Sequence, residues 1–310
     1  MYKINSNIIK GSIYGGAIGD ALGMSVECLE RKAVRQMDFK EIESLMNWFT
    51  DDTSLTLASI DAIVKSGFKL ETFMKNFADW FYEGKYTTLG YPYGYGKGTK
   101  NAIEKFVKTG DVKNCGGTSI DNNGNGALMR ITPVCLALIE KNKNIDECVT
   151  ILNNITGITH NHNISKMANV MYFAFLKGLL IRYDKLEGLR YMQEFNYEKY
   201  FDKETISFYK DLLENKIISE PEDKRNFGVI ETLKSVIYCI MNNNNYKDSI
   251  RCAINLGYDT DTIAAITGNI AGILYGYETI PVNWLEDLQG KDIIDKMIKK
   301  FSKKLLKESD

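Results

Sequence analysis

The sequence predicts an all-α protein, on three observations. Apolar residues recur at intervals of three and four along most of the chain, the period of one helix face. Proline occurs only four times, at Pro92, Pro133, Pro221 and Pro281, each where a turn fits. Alternating runs of β-branched residues, which would argue for strands, are scarce.

In chain order, the first element is a run of small residues. Gly11, Gly15, Gly19 and Gly23 are spaced by four, so on a helix they line one nearly bare stripe. A glycine inside a helix costs about 1 kcal/mol relative to alanine. Four on one stripe call for close packing against another helix, or for a ligand that must come near. Asp20 lies within this run, and Glu27 falls where the chain would leave the helix. The next element opens at Thr50-Asp51-Asp52-Thr53 and continues through Leu55, Leu57, Ala58, Ile60, Ala62 and Ile63. Carboxylates suit such a start, because they cap free amides and meet the positive end of the helix dipole. Leu70, Phe73, Phe77, Trp80 and Phe81 mark a third helix. The longest apolar stretch, Met167 to Ile181, is interrupted by Asn169 and Lys177, which predicts a buried helix and no membrane span. The charged stretch 182–227 predicts a peripheral excursion. Ile230, Leu233, Val236, Ile237 and Ile240 give a further helix, and Asn242–Asn245 reads as the loop after it. Asp259-Thr260-Asp261-Thr262 then precedes a second ridge, Ala264, Gly268, Gly272 and Gly276. Ile293, Ile294, Met297, Ile298, Phe301 and Leu305 mark the last helix. No repeat and no linker divides the chain, so a single domain over 1–310 is expected.

Composition narrows the function. The 310 residues are 44% hydrophobic, ample for a sizeable core. A net charge of −1 without a long basic run argues against a nucleic-acid groove. The six cysteines form no CxxC pair and read as reduced core thiols. Met1 to Asn5 lacks the apolar run of a signal peptide. A cytoplasmic protein is expected.

The chemistry concentrates in the two acidic clusters. A helix cap explains one carboxylate of Asp51 and Asp52 and leaves the other over, and Asp259 and Asp261 pose the same problem. Oxygen ligands of this kind suit hard cations such as Mg²⁺ or Mn²⁺. A calcium EF-hand is excluded, because Thr262, Ile263, Ala264 and Ala265 follow where further ligands and a glycine are needed. With His160 and His162 the only histidines, zinc is not supported. Two glycine-rich loops, 90–99 and 122–130, could cradle an anion on backbone amides, with nearby tyrosines able to stack on a base. The first is not a Walker loop, since its spacing is wrong and Gly98 follows Lys97 where Ser or Thr is required. His160 could hydrogen-bond a ribose hydroxyl, or serve only the structure.

Taken together, Gly15 to Gly23 with Glu27, then Thr50 to Thr53, then Gly124-Asn125-Gly126-Ala127 with Met129-Arg130 and Pro133, then Thr159-His160, then Asp259 to Thr262 with Gly268 resemble the ADP-ribosylglycohydrolase family. The resemblance spans nearly the whole chain, and five motifs in order are specific. It implies an orthogonal helical bundle with a central dinuclear cleft holding two Mg²⁺ or Mn²⁺. It implies Thr50, Asp51 and Asp52 as ligands from one side and Asp259, Asp261 and Thr262 from the other. Glu27 matches the family's acid on a mobile loop, and Glu27, Asp51 and Asp52 become the catalytic acids. Gly124, Asn125 and Gly126 match the loop that holds the distal ribose and diphosphate. Gly94 and Gly96 lie in a second phosphate loop, and His160 stands near the ribose. Two departures touch substrate choice: Asn122 stands where many members have Ser, and Tyr258 where many have a second Gly. Where some members carry an extra acid, the 93–99 loop has none. The implied activity is hydrolysis of the anomeric bond of an ADP-ribosylated protein side chain or small molecule, releasing ADP-ribose. The alternatives are a catalytically weak ADP-ribose-binding protein and a two-metal nucleotide phosphoesterase.

Overall fold

The computed structural model describes residues 4–214, 219–225 and 227–306. Among these residues there are seventeen α-helices and no strand, as the apolar period predicted. Two isolated β-bridges, Gly117 with His160 and Gly124 with Gly228, tie loops together.

Two antiparallel helices, Ser6–Met24 and Thr260–Tyr275, form the centre. The two glycine ridges face each other. A methyl group on Gly11 would lie 2.3 Å from the Gly272 carbonyl oxygen, on Gly15 2.3 Å from that of Gly268, and on Gly19 2.1 Å from that of Ala264. No side chain fits there, so packing accounts for the ridges. Gly276 is the exception to the expected series. It ends its helix with φ +91° and faces no partner ridge. Tyr246 seals the pair by donating its hydroxyl to the Gly15 carbonyl at 2.7 Å.

The acidic doublet opens the helix Asp51–Ser66, as expected. The apolar stretch lies in the helix Asn163–Arg182, and 83% of its most apolar window is buried inside the molecule. The loop at Asn242–Asn245 separates Val229–Asn242 from Tyr246–Ile254, with Asn245 capping the latter.

The segment expected as a peripheral excursion begins with the helix Lys185–Gln193, packed on Asn163–Arg182 through a close approach of Gly178 to Gly188. It sends Met192, Tyr197, Phe201 and Tyr209 into the core. Its later part holds Arg31, whose guanidinium donates to the carbonyls of Pro221 and Glu222 at 2.8 and 3.0 Å and to that of Leu256 at 3.0 Å. All six cysteines are free, but Cys28 is exposed. It sits in a left-handed turn (φ +67°) just after the first helix, where the chain must reverse. The expectation of core thiols fails at that position.

Candidate metal and ligand cleft

The close helix pair puts the C-terminal end of Ser6–Met24 beside the N-terminal end of Thr260–Tyr275. The start of Asp51–Ser66 meets them there. Asp20, fully buried, holds this junction. Its carboxylate accepts from the Thr50 amide at 3.0 Å, the Thr53 amide at 3.0 Å and the Thr53 hydroxyl at 2.6 Å. One acid of the first helix thus caps another helix. Thr50 is that helix's own N-cap, accepting from the Asp52 amide.

Around this junction the structure gathers Asp51, Asp52, Asp259, Asp261, Thr262 and Glu27 along one cleft of about 540 Å³. The carboxylate oxygens of Asp20, Asp52 and Asp261 lie within 4.8 Å of one another, as do those of Glu27, Asp259 and Asp261. Thr50 and Thr262 place hydroxyls 3.3 and 3.4 Å from Asp52 Oδ2. The two clusters, some two hundred positions apart in sequence, are therefore neighbours in space.

The electrostatics are those of a set that lacks its counter-charge. No lysine or arginine among the described residues pairs with Asp20, Asp51, Asp52 or Asp261. Burial, and then the neighbouring acids, push the carboxyls of Asp51, Asp52 and Asp261 well above their usual range. Burial raises Asp20 to about 6, against hydrogen bonds from Thr53 and Thr50 that pull it down. Burial and Asp259 also raise half-buried Glu27. Asp52 Oδ1 and Asp261 Oδ1 are buried without a hydrogen-bond partner among the described residues. A buried carboxylate without a partner is costly, and hard divalent cations are the species this all-oxygen set fits.

Glu27 lies in the loop after the first helix. Two backbone bonds, Cys28 N–H to the Tyr258 carbonyl and Tyr258 N–H to the Leu29 carbonyl, both at 2.7 Å, clip that loop to the turn before Asp259. Tyr258 adopts φ +62°, the left-handed region where glycine is easiest. A tyrosine at this position keeps the turn and tolerates its strain.

Glycines line much of the rest of the cleft. Gly94 (φ +86°) crosses the start of the Asp51–Ser66 helix so closely that a methyl there would lie 2.9 Å from Asp51 Oδ1. Gly96 precedes the helix Lys97–Thr109, whose first turn has no side-chain cap and lines the cleft through Lys97, Gly98 and Thr99. Gly124 and Gly126 lie opposite, with His160 between the loops: methyls on Gly98, Gly124 and Gly126 would come within 3.2, 3.6 and 3.4 Å of its Nε2. Asn125 donates through Nδ2 to Asp259 Oδ2 and to Thr232 Oγ1, linking its loop to the acids. Asn123 pins the loop by accepting from the Ser165 amide and hydroxyl at 3.1 and 2.8 Å. Asn122 donates to Ser119 Oγ and packs on Gly117, so it staples the loop as well as lining the cleft.

Some expectations shift. The tyrosines of the 90–99 loop do not line the cleft: Tyr91 and Tyr93 point to solvent, and Tyr95 packs on Phe81 and Trp80. Phe227 supplies an aromatic wall instead, and Asp121 an acid outside the 93–99 loop. Nothing in their local sequence marked either one.

Known proteins resemble this chain along nearly its whole length. A model of the ADP-ribosylglycohydrolase family matches residues 3–310. An ADP-ribosylarginine hydrolase of Serratia proteamaculans is 29% identical, over 93% of this chain and 77% of its own. The ADP-ribosyl-[dinitrogen reductase] glycohydrolase of Rhodospirillum rubrum is 25% identical, over 91% and 90%. A solved structure described as an ADP-ribosylglycohydrolase-related protein complex superposes with a TM-score of 0.78 at 23% identity, covering 97% of this chain and 98% of its own, and so shares the fold. With a helical bundle, a cleft of clustered acids and glycine loops, and a family match along its length, the chain belongs to the ADP-ribosylglycohydrolase family.

Proposed function

We propose that this protein hydrolyses the anomeric bond between ADP-ribose and a protein side chain, with arginine the first linkage to test in view of the ADP-ribosylarginine hydrolases among its relatives. The observation that carries the reading is one cleft lined by both acidic clusters and by two glycine-rich loops. The diphosphate would lie against the amides that open Lys97–Thr109 and against the 124–126 loop, where a helix start favours anions. Asn125, fixed between Asp259 and Thr232, would orient the distal ribose beside the acids. Glu27, held by its clip and raised above its usual range, is suited to move a proton between water and the leaving group. Two Mg²⁺ or Mn²⁺ ions held by Thr50, Asp51, Asp52, Asp259, Asp261 and Thr262 would supply the positive charge that polarises the reacting oxygens. In the net reaction, water adds its oxygen to the anomeric carbon, the bond to the acceptor atom breaks, and the acceptor takes a proton. The free thiols suit a reducing, cytosolic setting.

Purified protein, incubated with targets ADP-ribosylated on arginine, serine or glutamate, should release free ADP-ribose from at least one, and chelation should stop it. Release of AMP or phosphate would identify a phosphoesterase. Binding of ADP-ribose without release from any linkage would identify a binding protein.

A further inference from the structure

Behind the wall of the cleft lies an arginine that the reading above leaves unused. Arg130 is fully buried, and no carboxylate among the described residues pairs with it. It packs over Phe77 at 4.5 Å from the ring centroid, and its Nε and Nη1 have no partner among the described residues. Its one hydrogen bond among the described residues runs from Nη2 to Thr159 Oγ1 at 2.8 Å. The same hydroxyl oxygen lies 2.9 Å from His160 Nδ1.

Hydrogen-bond chemistry fixes the protons in this chain. Burial lowers the Arg130 guanidinium to about 9, so near neutral pH it is protonated and can only donate. Thr159 Oγ1 must then accept from it. The hydroxyl proton is left to donate, and Nδ1 is the acceptor within reach. The opposite arrangement would have His160 Nδ1–H also donate to Oγ1. The buried hydroxyl proton would then face no acceptor, an expensive loss. Nδ1 is therefore bare, and the ring proton sits on Nε2. Burial, with Arg130 adding repulsion, holds the imidazole down to about 3, so the ring is neutral. Nε2 has no hydrogen-bond partner among the described residues and faces the gap between Gly98, Gly124 and Gly126.

We propose that Arg130 and Thr159 are positioning residues that lock His160 in its Nε2–H tautomer, so that it offers one uncharged donor to an acceptor oxygen of bound ADP-ribose. The identity of the acceptor rests on the proposed function; the tautomer does not. The side chain that meets the ligand is then set by two residues that never touch it.

The test is a long-range ¹H–¹⁵N correlation spectrum of the labelled full chain near pH 7. There are only two histidines, and His162→Gln assigns the pair. His160 should show a protonated Nε2 and a bare Nδ1. An Nδ1–H form, an even mixture or an imidazolium would overturn the proposal. Thr159→Val keeps the shape and deletes the hydroxyl. It should release the tautomer and weaken ADP-ribose binding by about tenfold, the loss of one buried hydrogen bond, while Thr159→Ser should restore both. Unchanged tautomer and affinity in Thr159→Val would also refute the relay. If that variant fails to fold, the wild-type spectrum still decides. If wild type binds no ADP-ribose, the functional reading fails, and the spectrum judges the relay separately.

Discussion

At the scale of single residues, the acids were the most legible part of the sequence. Asp51, Asp52, Asp259 and Asp261 stand in doublets that capping does not exhaust, and the structure brings them to one cleft. Asp20 was visible as an acid in a glycine run. Its role needed the fold, because its three hydrogen-bond partners lie some thirty positions away. Arg130 stood in a motif of the resemblance without a role, and Asp121 and Phe227 carried no local signal, since each matters only for what lies across from it. If these acids hold cations, activity and stability must part company on mutation. Asp261→Asn keeps the shape and removes one charge from a crowded set. Release of ADP-ribose should fall by about a hundredfold or more, the scale seen when a group aimed at a transition state is lost. The melting temperature without divalent ions should stay level or rise, because repulsion is relieved. Melting curves and release assays on the one variant check both. Wild-type release would sink the cation reading, and a collapse in melting temperature would show Asp261 to be a structural acid.

At the scale of elements, the glycine ridges show why spacing alone gave half an answer. A period of four identifies a bare stripe, but either close packing or a ligand would explain it. The facing carbonyls decide for packing. That contact also places Asp20 and Asp261 opposite each other, so the ridge sets the geometry of the acids. Gly19→Ala would drive a methyl to 2.1 Å from a backbone oxygen that has no rotamer to escape through. Destabilisation of about 3 kcal/mol is expected, at the upper end for overpacking, together with loss of divalent-ion binding. Gly96→Ala is the contrast: nothing lies within 4 Å of the added methyl and its φ is ordinary, so denaturant unfolding should match wild type. Equal midpoints for the two variants would show that the ridge has room to adjust. The clip on the Glu27 loop is also an element-scale feature the sequence hid. Arg31 ties the helix after that loop to residues 220–222 and to Leu256. Arg31→Ala leaves those carbonyls unpaired, and it should expose the loop to proteolysis while slowing release more than it weakens ADP-ribose binding. A wild-type digestion pattern would mean that the two backbone bonds to Tyr258 suffice.

At the scale of the whole molecule, helical periodicity foretold an all-α fold, but not how its helices cross, because periodicity gives each helix a buried face and no partner. The molecule spends stability on its cleft. Several buried acids bind their protons more tightly in the folded chain than in the unfolded one. Their contribution to stability is fully present below the ordinary carboxylate range, about 4. It is lost as the pH rises through Asp20's value of about 6, and further still as its more strongly raised neighbours ionise. Without divalent ions, the melting temperature should therefore fall between about pH 5 and pH 8. Cations bind the ionised acids, so the stabilisation produced by Mn²⁺ should grow across the same interval. Thermal scans at several pH values, with chelator and with Mn²⁺, give both curves. A chelated protein whose melting temperature is flat or rising over this window would mean that the acids are not the strained, mutually repelling set their burial implies. A Mn²⁺ effect that shrinks with rising pH would place the ion somewhere other than this cleft.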